Sequence, residues 1–278
     1  MHPQPNDILE PGDLARWLRP RANDSHKGDH GHVLCVGGDA GSGGAIMLCA
    51  QAALRTGAGL VSVATRAAHV APLLARQPEA MVHAVDSGED YAPLLQRADV
   101  LAVGPGLGRG EWGRALLDGA LRSGKPLVLD ADALNLLAGA PGVSPADAVL
   151  TPHPGEAARL LRTGAHEVQG NRAGAARTLA ERFGCVVVLK GAGTLVAAPD
   201  GRSVQVAAGN PGMATGGMGD LFTGVIAALR AQGLEAFDAA ACGALLHAAA
   251  GDAAAAGGMR GLLPGDLLPE LRRLANPQ

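Results

Sequence analysis

The glycine-rich stretch GNPGMATGGMGDLFTG, residues 209–224, carries the residue types that a phosphoryl-transfer site needs. Gly216, Gly217 and Gly219 leave backbone N–H groups free to face an anion, at the start of the helix predicted to follow. Asp220 comes directly after the last of these glycines. An acid beside an anion is unfavourable unless it acts on the group that receives the phosphoryl. The pattern therefore predicts a general base at Asp220; the alternative is that this acid only caps the helix LFTGVIAALRA, which is predicted to start at Leu221.

Five further loops rich in glycine, proline and polar residues follow predicted strands. They read GGDAGSGG, GPGLG, DADALN, TPHPGE and KGAGT. Ligands of parallel sheets bind beyond the carboxyl ends of the strands, which lie on one rim. We therefore expect these loops to form one site together with residues 209–224. The alternative is that they are only tight turns in a protein rich in alanine and glycine.

The elements that must position these loops alternate between strands and helices. Helical spacing of apolar residues occurs in GGAIMLCAQAALRTGAG, EWGRALLDGALRSGK and NRAGAARTLAERFG. Apolar runs predict eight strands, at residues 32–36, 60–64, 99–103, 126–130, 147–151, 185–190, 194–198 and 203–207.

This alternation indicates an α/β fold with a central, mainly parallel sheet and helices on both faces. The last two strands are joined by PDGR, which predicts a hairpin at or near an edge of the sheet. Because no linker or repeat interrupts the pattern, we expect a single domain over residues 1–278.

Composition argues against several classes of protein. A net charge of −3 and a pI near 6.3 give no global attraction to nucleic acid or anionic membranes, and 2% aromatic residues offer few base-stacking surfaces. The four cysteines show no CxxC pairing, which predicts buried thiols in a reducing compartment. The N-terminus lacks an apolar signal segment, and the run AFDAAACGALLHAAAG is too weakly apolar to span a membrane. We therefore expect a cytoplasmic protein without nucleic-acid or membrane partners.

The familiar nucleotide-binding signatures do not match. The chain has no GxxxxGK[ST] pattern, and the glycines of GGDAGSGG do not fall as GxGxxG. The second predicted strand ends in VATRA, without the acid that binds a ribose in dinucleotide-binding domains. A P-loop is therefore excluded, and a dinucleotide-binding Rossmann domain is disfavoured.

Ordered sequence blocks over about two hundred residues resemble the NAD(P)H-hydrate dehydratases of the ribokinase-like superfamily. The blocks are HKGDHGHVLCVGGDAGSGGAIMLCAQAALRTGAGLVSVAT, VGPGLG, LVLDADALN, LTPHPGE, VVVLKGAGT and GNPGMATGGMGDLFTG. The resemblance implies one ribokinase-like α/β domain. It also implies nucleotide-driven dehydration of NADHX and NADPHX, the hydrated forms of NADH and NADPH.

Phosphorylation of the ring hydroxyl would convert a poor leaving group into a good one, which the lone pair of the ring nitrogen can expel. The resemblance makes Asp220 the base that deprotonates this hydroxyl and also a substrate contact. The amides of Gly217, Met218 and Gly219 would hold the phosphoryl group.

The resemblance also assigns binding roles residue by residue. Contacts to the hydrated dinucleotide fall on Ala45, Gly106 and His153, besides Asp220. Nucleotide-binding positions are Lys190, Gly191, Ala192, Gly193, Thr194 and Gly219. Supporting or Mg²⁺-linked groups are Asn135, Glu156 and Asn210, and no direct protein ligand of a metal is assigned. The implied cofactors are Mg²⁺ and a nucleotide co-substrate, with ADP favoured over ATP, and the implied assembly is a homotetramer.

Other interpretations remain open. A vitamin or sugar kinase of the same superfamily would keep the phosphate on its product, and a nucleotide-sensing module would need no base at position 220. The spacing of His26, His30 and His32 could bind a metal. These histidines fall in the family's opening block, so we expect a structural or substrate-adjacent role. No epimerase domain precedes the dehydratase-like region, so we do not expect interconversion of the R and S hydrates.

Overall fold

The computed structural model describes residues 7–140 and 142–276. Within them the chain forms ten β-strands and eleven α-helices. The strands are β1 Asp7–Leu9, β2 His32–Val36, β3 Leu60–Thr65, β4 Met81–Ala84, β5 Val100–Val103, β6 Leu127–Leu129, β7 Ala148–Leu150, β8 Val186–Leu189, β9 Leu195–Ala197 and β10 Ser203–Val206. The helices are α1 Gly43–Thr56, α2 Ala67–Arg76, α3 Gly88–Arg97, α4 Glu111–Arg122, α5 Ala131–Ala138, α6 Pro154–Leu161, α7 Ala165–Gly170, α8 Arg172–Phe183, α9 Met218–Ala231, α10 Ala236–Ala254 and α11 Pro264–Leu274.

All ten strands form one sheet in the order β1-β10-β9-β8-β7-β6-β5-β2-β3-β4. The pairings are parallel except for β8 with β9 and β9 with β10, which are antiparallel. The eight predicted strands are all present, each end within one residue of its predicted position, and the predicted hairpin lies next to the edge strand β1. The mainly parallel α/β sheet predicted from the sequence is therefore confirmed.

Both faces of the sheet are covered by helices. Along β2, Val33 and Cys35 enter one apolar layer, whereas Leu34 and Val36 enter the other. The first layer includes side chains of α1, α9, α10 and α11, and the second includes side chains of α3 to α8. Because both sides of each central strand are buried, its sequence is continuously apolar rather than alternating.

Helices α1 and α9 pack closely against each other. A Cβ atom added to Gly224 of α9 would lie 2.0 Å from the carbonyl oxygen of Cys49 in α1, so no larger residue fits there. The thiols of Cys49 and Cys35 lie 3.7 Å apart, and all four cysteines are buried and free, as predicted. The close packing fixes the start of α9, and with it Asp220, against the loops at the carboxyl end of the sheet.

One stretch of the described residues, Ala236–Gly257, is long and apolar enough to cross a membrane by length and composition. This stretch is α10 with the short turn that follows it, and 67% of its most apolar window is buried inside the protein. Helix α10 packs on α9, α11 and β8, as a core helix does.

Candidate active site

The carboxylate of Asp220 lies in the first turn of α9. This helix begins at Met218, earlier than the predicted start, and its N-cap is Gly217, with φ of +91° and no side-chain capping bond. Asp220 is half-buried, and its carboxylate makes no hydrogen bond or ion pair with any described residue. The structure therefore contradicts the alternative in which Asp220 is the helix cap.

The electrostatic surroundings of Asp220 suit a base. Burial raises the pKa of Asp220 to about 6; the nearby Asp130 carboxylate acts in the same direction, and the Lys190 ammonium opposes it. A carboxylate with this pKa is ionised near neutral pH and accepts a proton more readily than an exposed aspartate does.

A buried ion pair lies beside Asp220. Asp130 directly follows β6 and is only 1% exposed. Its Oδ1 lies 2.5 Å from the ammonium of Lys190, and its Oδ2 accepts a hydrogen bond of 2.9 Å from the hydroxyl of Thr223. The Thr223 hydroxyl also lies 3.0 Å from the Gly219 carbonyl oxygen. This network joins the first turn of α9 to the ends of β6 and β8.

The sequence patterns assign no role to Asp130 or Thr223. Asp130 lies in the block LVLDADALN, directly after a buried strand, and an acid at that position is a usable signal for a site residue. Thr223 lies in GGMGDLFTG, one helical turn after Gly219, and no feature of the sequence indicates its partner.

His153 and Glu156 form a local unit at the start of α6. His153 is the N-cap, and its Nδ1 accepts a 3.0 Å hydrogen bond from the Gly155 amide, while its own amide donates to Glu156 Oε2 at 2.8 Å. Burial lowers the pKa of His153, and the Lys190 ammonium acts in the same direction. The ring is therefore neutral at pH 7, with its proton on Nε2. This nitrogen lies 3.4 Å from Glu156 Oε1 and can donate its hydrogen bond to a ligand instead.

Glu156 is a buried carboxylate at the same edge of the sheet. Its exposed fraction is 5%, and burial raises its pKa to about 7, against the effect of the Lys190 ammonium. The Lys190 Nζ lies 3.9 Å from Glu156 Oε2. Lys190 thus lies between Asp130 and Glu156.

Hydrogen bonds from a side chain of α8 fix the conformation of the loop Lys190–Thr194. The guanidinium of Arg172 donates hydrogen bonds of 3.2 to 3.4 Å to the carbonyls of Leu189, Lys190 and Gly193. Gly191 and Gly193 both have positive φ, which a side chain would strain. Arg172 is a supporting residue that the sequence did not reveal, because it lies in an ordinary helical pattern.

Ala45 and Gly106 come together between two loops. Gly106 has φ of +59°, and a Cβ atom on it would lie 2.7 Å from the Ser42 carbonyl oxygen and 3.2 Å from the Ala45 side chain. The small residues therefore allow the loop after β5 to contact the start of α1, which is a packing reason for their size.

Two predicted supporting residues make contacts outside the Asp130–Lys190 cluster. Asn135 accepts a 3.0 Å hydrogen bond from Arg159, and Asn210 bonds to Asp252 at 2.9 Å and caps a short turn.

In the opening block, His32 donates through Nδ1 to the Arg97 carbonyl and accepts from Ser62 through Nε2, so both ring nitrogens are occupied. Among the described residues, no group of three or more His, Cys, Asp or Glu side chains could hold a metal ion.

The sequence and the fold both match known proteins. The profile of the NAD(P)H-hydrate dehydratase family matches residues 33–273. The chain is 51% identical to the bifunctional NAD(P)H-hydrate repair enzyme Nnr of Coxiella burnetii, over 97% of this chain and 55% of that protein. It is 43% identical to the ADP-dependent (S)-NAD(P)H-hydrate dehydratase of Neisseria meningitidis, over 93% of this chain and 90% of that protein.

The structure is similar to that of the ADP/ATP-dependent NAD(P)H-hydrate dehydratase of Bacillus subtilis, co-crystallised with ATP and Mg²⁺. The TM-score is 0.86 at 28% identity, and the alignment covers 97% of each chain. Solved structural neighbours are ribokinase-like kinases and dehydratases, which confirms the predicted fold class. The chain spans about half the length of the bifunctional relatives it matches. It belongs to the NAD(P)H-hydrate dehydratase family.

Proposed function

We propose that this chain catalyses the ADP-dependent dehydration of the S form of NADHX and NADPHX, giving NADH or NADPH, AMP and phosphate. The observation that carries the proposal is the unpartnered, half-buried carboxylate of Asp220 beside the free amides at the start of α9. Membership of the dehydratase family and the activity named for the Neisseria meningitidis relative support it.

In the proposed reaction, Asp220 removes the proton from the ring hydroxyl as that oxygen attacks the terminal phosphoryl group of the nucleotide. The amides of Gly217, Met218 and Gly219 stabilise the negative charge on the transferring group. The lone pair of the ring nitrogen then expels phosphate, and loss of a proton from the adjacent ring carbon to water restores the dihydropyridine ring. His153, with its proton on Nε2, donates a hydrogen bond to the dinucleotide, whose remaining contacts include Ala45 and Gly106.

Lys190 and the loop Gly191–Thr194 bind the nucleotide in this proposal, together with Gly219. The Mg²⁺ that accompanies a polyphosphate is usually held by one or two carboxylates and by the phosphates themselves. Glu156 is the carboxylate we propose for this role, because it is buried at the start of α6, at the same edge of the sheet as the nucleotide loop. When bound, the ion would neutralise phosphate charge. Asn135 and Asn210 would act only through the residues they contact.

We further propose that ADP is the preferred phosphoryl donor, that the protein is a cytoplasmic homotetramer, and that no nucleic acid takes part. The activity named for the Neisseria meningitidis relative supports ADP. The Bacillus subtilis enzyme, described as ADP/ATP-dependent, supports including ATP as a second donor in the test.

The test is incubation of the purified chain with NADHX and ADP, with and without Mg²⁺, and in parallel with ATP. We expect recovery of the reduced-nicotinamide absorbance together with one phosphate released per NADH formed. A stable phosphorylated product without phosphate release would instead support the alternative of a small-molecule kinase. Nucleotide binding without any turnover of NADHX or NADPHX would support the sensing module.

We also predict that kcat/KM falls as the pH drops below about 6. The base must be ionised, and burial raises the pKa of Asp220 to about 6. Activity should therefore be lost about tenfold per pH unit below this value and level off above it. A pH–rate profile from 5 to 8 at constant ionic strength measures this, with the fold monitored by circular dichroism. A rate that stays constant down to pH 5 would contradict the assignment of Asp220 as the base.

A further inference from the structure

A cavity lies on the same rim of the sheet as the candidate active site, beside the loops that carry Gly106 and Ala45. Its volume is about 540 Å³, large enough for a nucleoside. It is bounded by the segments that follow β2, β3 and β4 and by the start of α4. The lining residues used below are Asp39, Arg66, Asp86, Tyr91, Glu111 and Trp112.

The cavity is acidic, and its one cation is already engaged. Among the described residues that line it, Arg66 is the only cation, against the three carboxylates Asp39, Asp86 and Glu111. The Arg66 guanidinium donates to Asp39 Oδ1 at 2.8 Å, lies 3.7 Å from Asp86 Oδ1, and stacks 4.3 Å above the centre of the Trp112 ring. No free positive side chain therefore faces a ligand in this cavity.

The two helices that begin at the cavity do not reverse this charge. At the start of α3, the amide of Ser87 and the carboxylate of Asp90 already bond to each other at 3.0 Å. Helix α4 carries Glu111 in its own first turn, where the acid offsets the partial positive charge of the helix end.

The aromatic side of the cavity also has an unused polar group. Tyr91 is only 3% exposed, and its buried hydroxyl has no hydrogen-bond partner among the described residues. A buried hydroxyl without a partner is costly unless a ligand or water satisfies it. The Trp112 indole is fixed by a 2.7 Å hydrogen bond to the Val85 carbonyl, so the wall is preformed.

The cavity lies next to the proposed dinucleotide site. The Asp39 amide donates a 2.6 Å hydrogen bond to the Gly106 carbonyl, and Gly106 is one of the residues proposed to contact the dinucleotide. With the nicotinamide half of the substrate at Asp220, an extended dinucleotide that passes Gly106 reaches the Asp39 loop with its adenosine half. The loop that contains Asp39 is the border between these two regions.

Resting on the proposed function, we infer that this cavity binds the adenosine half of the substrate and makes the enzyme prefer NADHX to NADPHX. The ribose diol of NADHX can donate hydrogen bonds to a carboxylate, as it does in other dinucleotide sites. The 2′-phosphate of NADPHX adds a charge of about −1.5 to −2 at pH 7 to a cavity that already has an excess of carboxylates. Repulsion and the lack of a free cation therefore disfavour NADPHX.

The test is the ratio of kcat/KM for NADHX to kcat/KM for NADPHX. We expect a wild-type ratio of at least about 5, and a fall of about threefold or more in the double variant Asp86→Asn, Glu111→Gln, because each neutral amide removes part of the repulsion. The matched control is Glu181→Gln, an exposed glutamate on α8 that does not line the cavity, which should leave the ratio unchanged. A wild-type ratio of 1 or below, or a ratio that the double variant does not change, overturns the inference.

A binding measurement separates this inference from the proposed reaction. Calorimetry with NAD⁺ and NADP⁺ should show tighter binding of NAD⁺ to the wild type, and a smaller difference in the double variant. If neither hydrate is dehydrated, the proposed function fails, while the NAD⁺ preference still supports the cavity assignment. Equal affinities, or no detectable binding of either dinucleotide, count against the cavity assignment.

Discussion

Replacing Asp220 by asparagine is expected to reduce turnover of NADHX by about 10²–10⁴-fold, the usual loss when a positioned base is removed. Asparagine keeps the size of the side chain, and Asp220 makes no hydrogen bond or ion pair with any described residue that the change could break. Folding should therefore be unaffected. ADP should bind at least as tightly, because a negative charge near the phosphates is lost. NADH recovery, ADP calorimetry and the melting temperature together measure these outcomes.

The matched control for this variant is Asp238→Asn, which removes an acid from the first turn of α10, away from the glycine-rich loop. It should leave turnover unchanged and lower the stability of the protein by no more than about 1 kcal/mol. Turnover of Asp220→Asn within a few-fold of the wild type, with normal folding, would end the catalytic assignment.

Replacing Lys190 by alanine is expected to weaken both the fold and the nucleotide complex. The Asp130 carboxylate is 1% exposed and would keep only the Thr223 hydroxyl as a partner, and breaking a buried pair on one side costs about 3–5 kcal/mol. Loss of a charge-assisted contact to the nucleotide would cost roughly a further 1.5–3 kcal/mol of ADP binding. Chemical unfolding without nucleotide measures the first effect, and calorimetry with ADP measures the second.

A double variant separates the two roles of Lys190. In Lys190→Met with Asp130→Asn, both charges of the buried pair are removed, and the Glu156 carboxyl, whose pKa burial raises to about 7, takes up a proton more readily without the ammonium. Most of the lost stability should therefore return, whereas ADP binding should stay weak. If Lys190→Ala unfolds at the same denaturant concentration as the wild type, the ion pair contributes nothing to stability. If a folded Lys190→Ala variant binds ADP normally, Lys190 is not part of the nucleotide site.

The central strands of the sheet could be predicted from the sequence because they are buried on both faces. A short apolar run such as HVLCV is typical of a buried strand when turns and helical patterns lie on either side of it. The strands β1 and β4 were missed for the opposite reason. Both are edge strands and are only partly buried: in β1 only Leu9 is buried, and both end residues of β4 are exposed.

The candidate site was only partly predictable. The alternation of strands and helices indicates parallel strands, and parallel strands place the glycine-rich loops on one rim of the sheet. The pair formed by Lys190 and Asp130 joins residues 60 positions apart, and the sequence does not say which of several acids faces the lysine. The start of α9 was predicted too late because Met218 and Gly219 look like loop residues until the packing of α9 on α1 is known. The single-domain organisation over residues 1–278 stays a prediction.

The pairing of β1 with β10 has a consequence for synthesis of the chain in the cell. Asp7 pairs with Val204, so roughly 200 residues must be added between the two strands. At about 5–20 residues per second, β1 waits on the order of 10–40 s before its partner exists. During this interval the sheet grows from β2 to β9 without β1. An unpaired strand edge is a template for aggregation, so we expect the nascent chain to be prone to aggregation during this stage of translation.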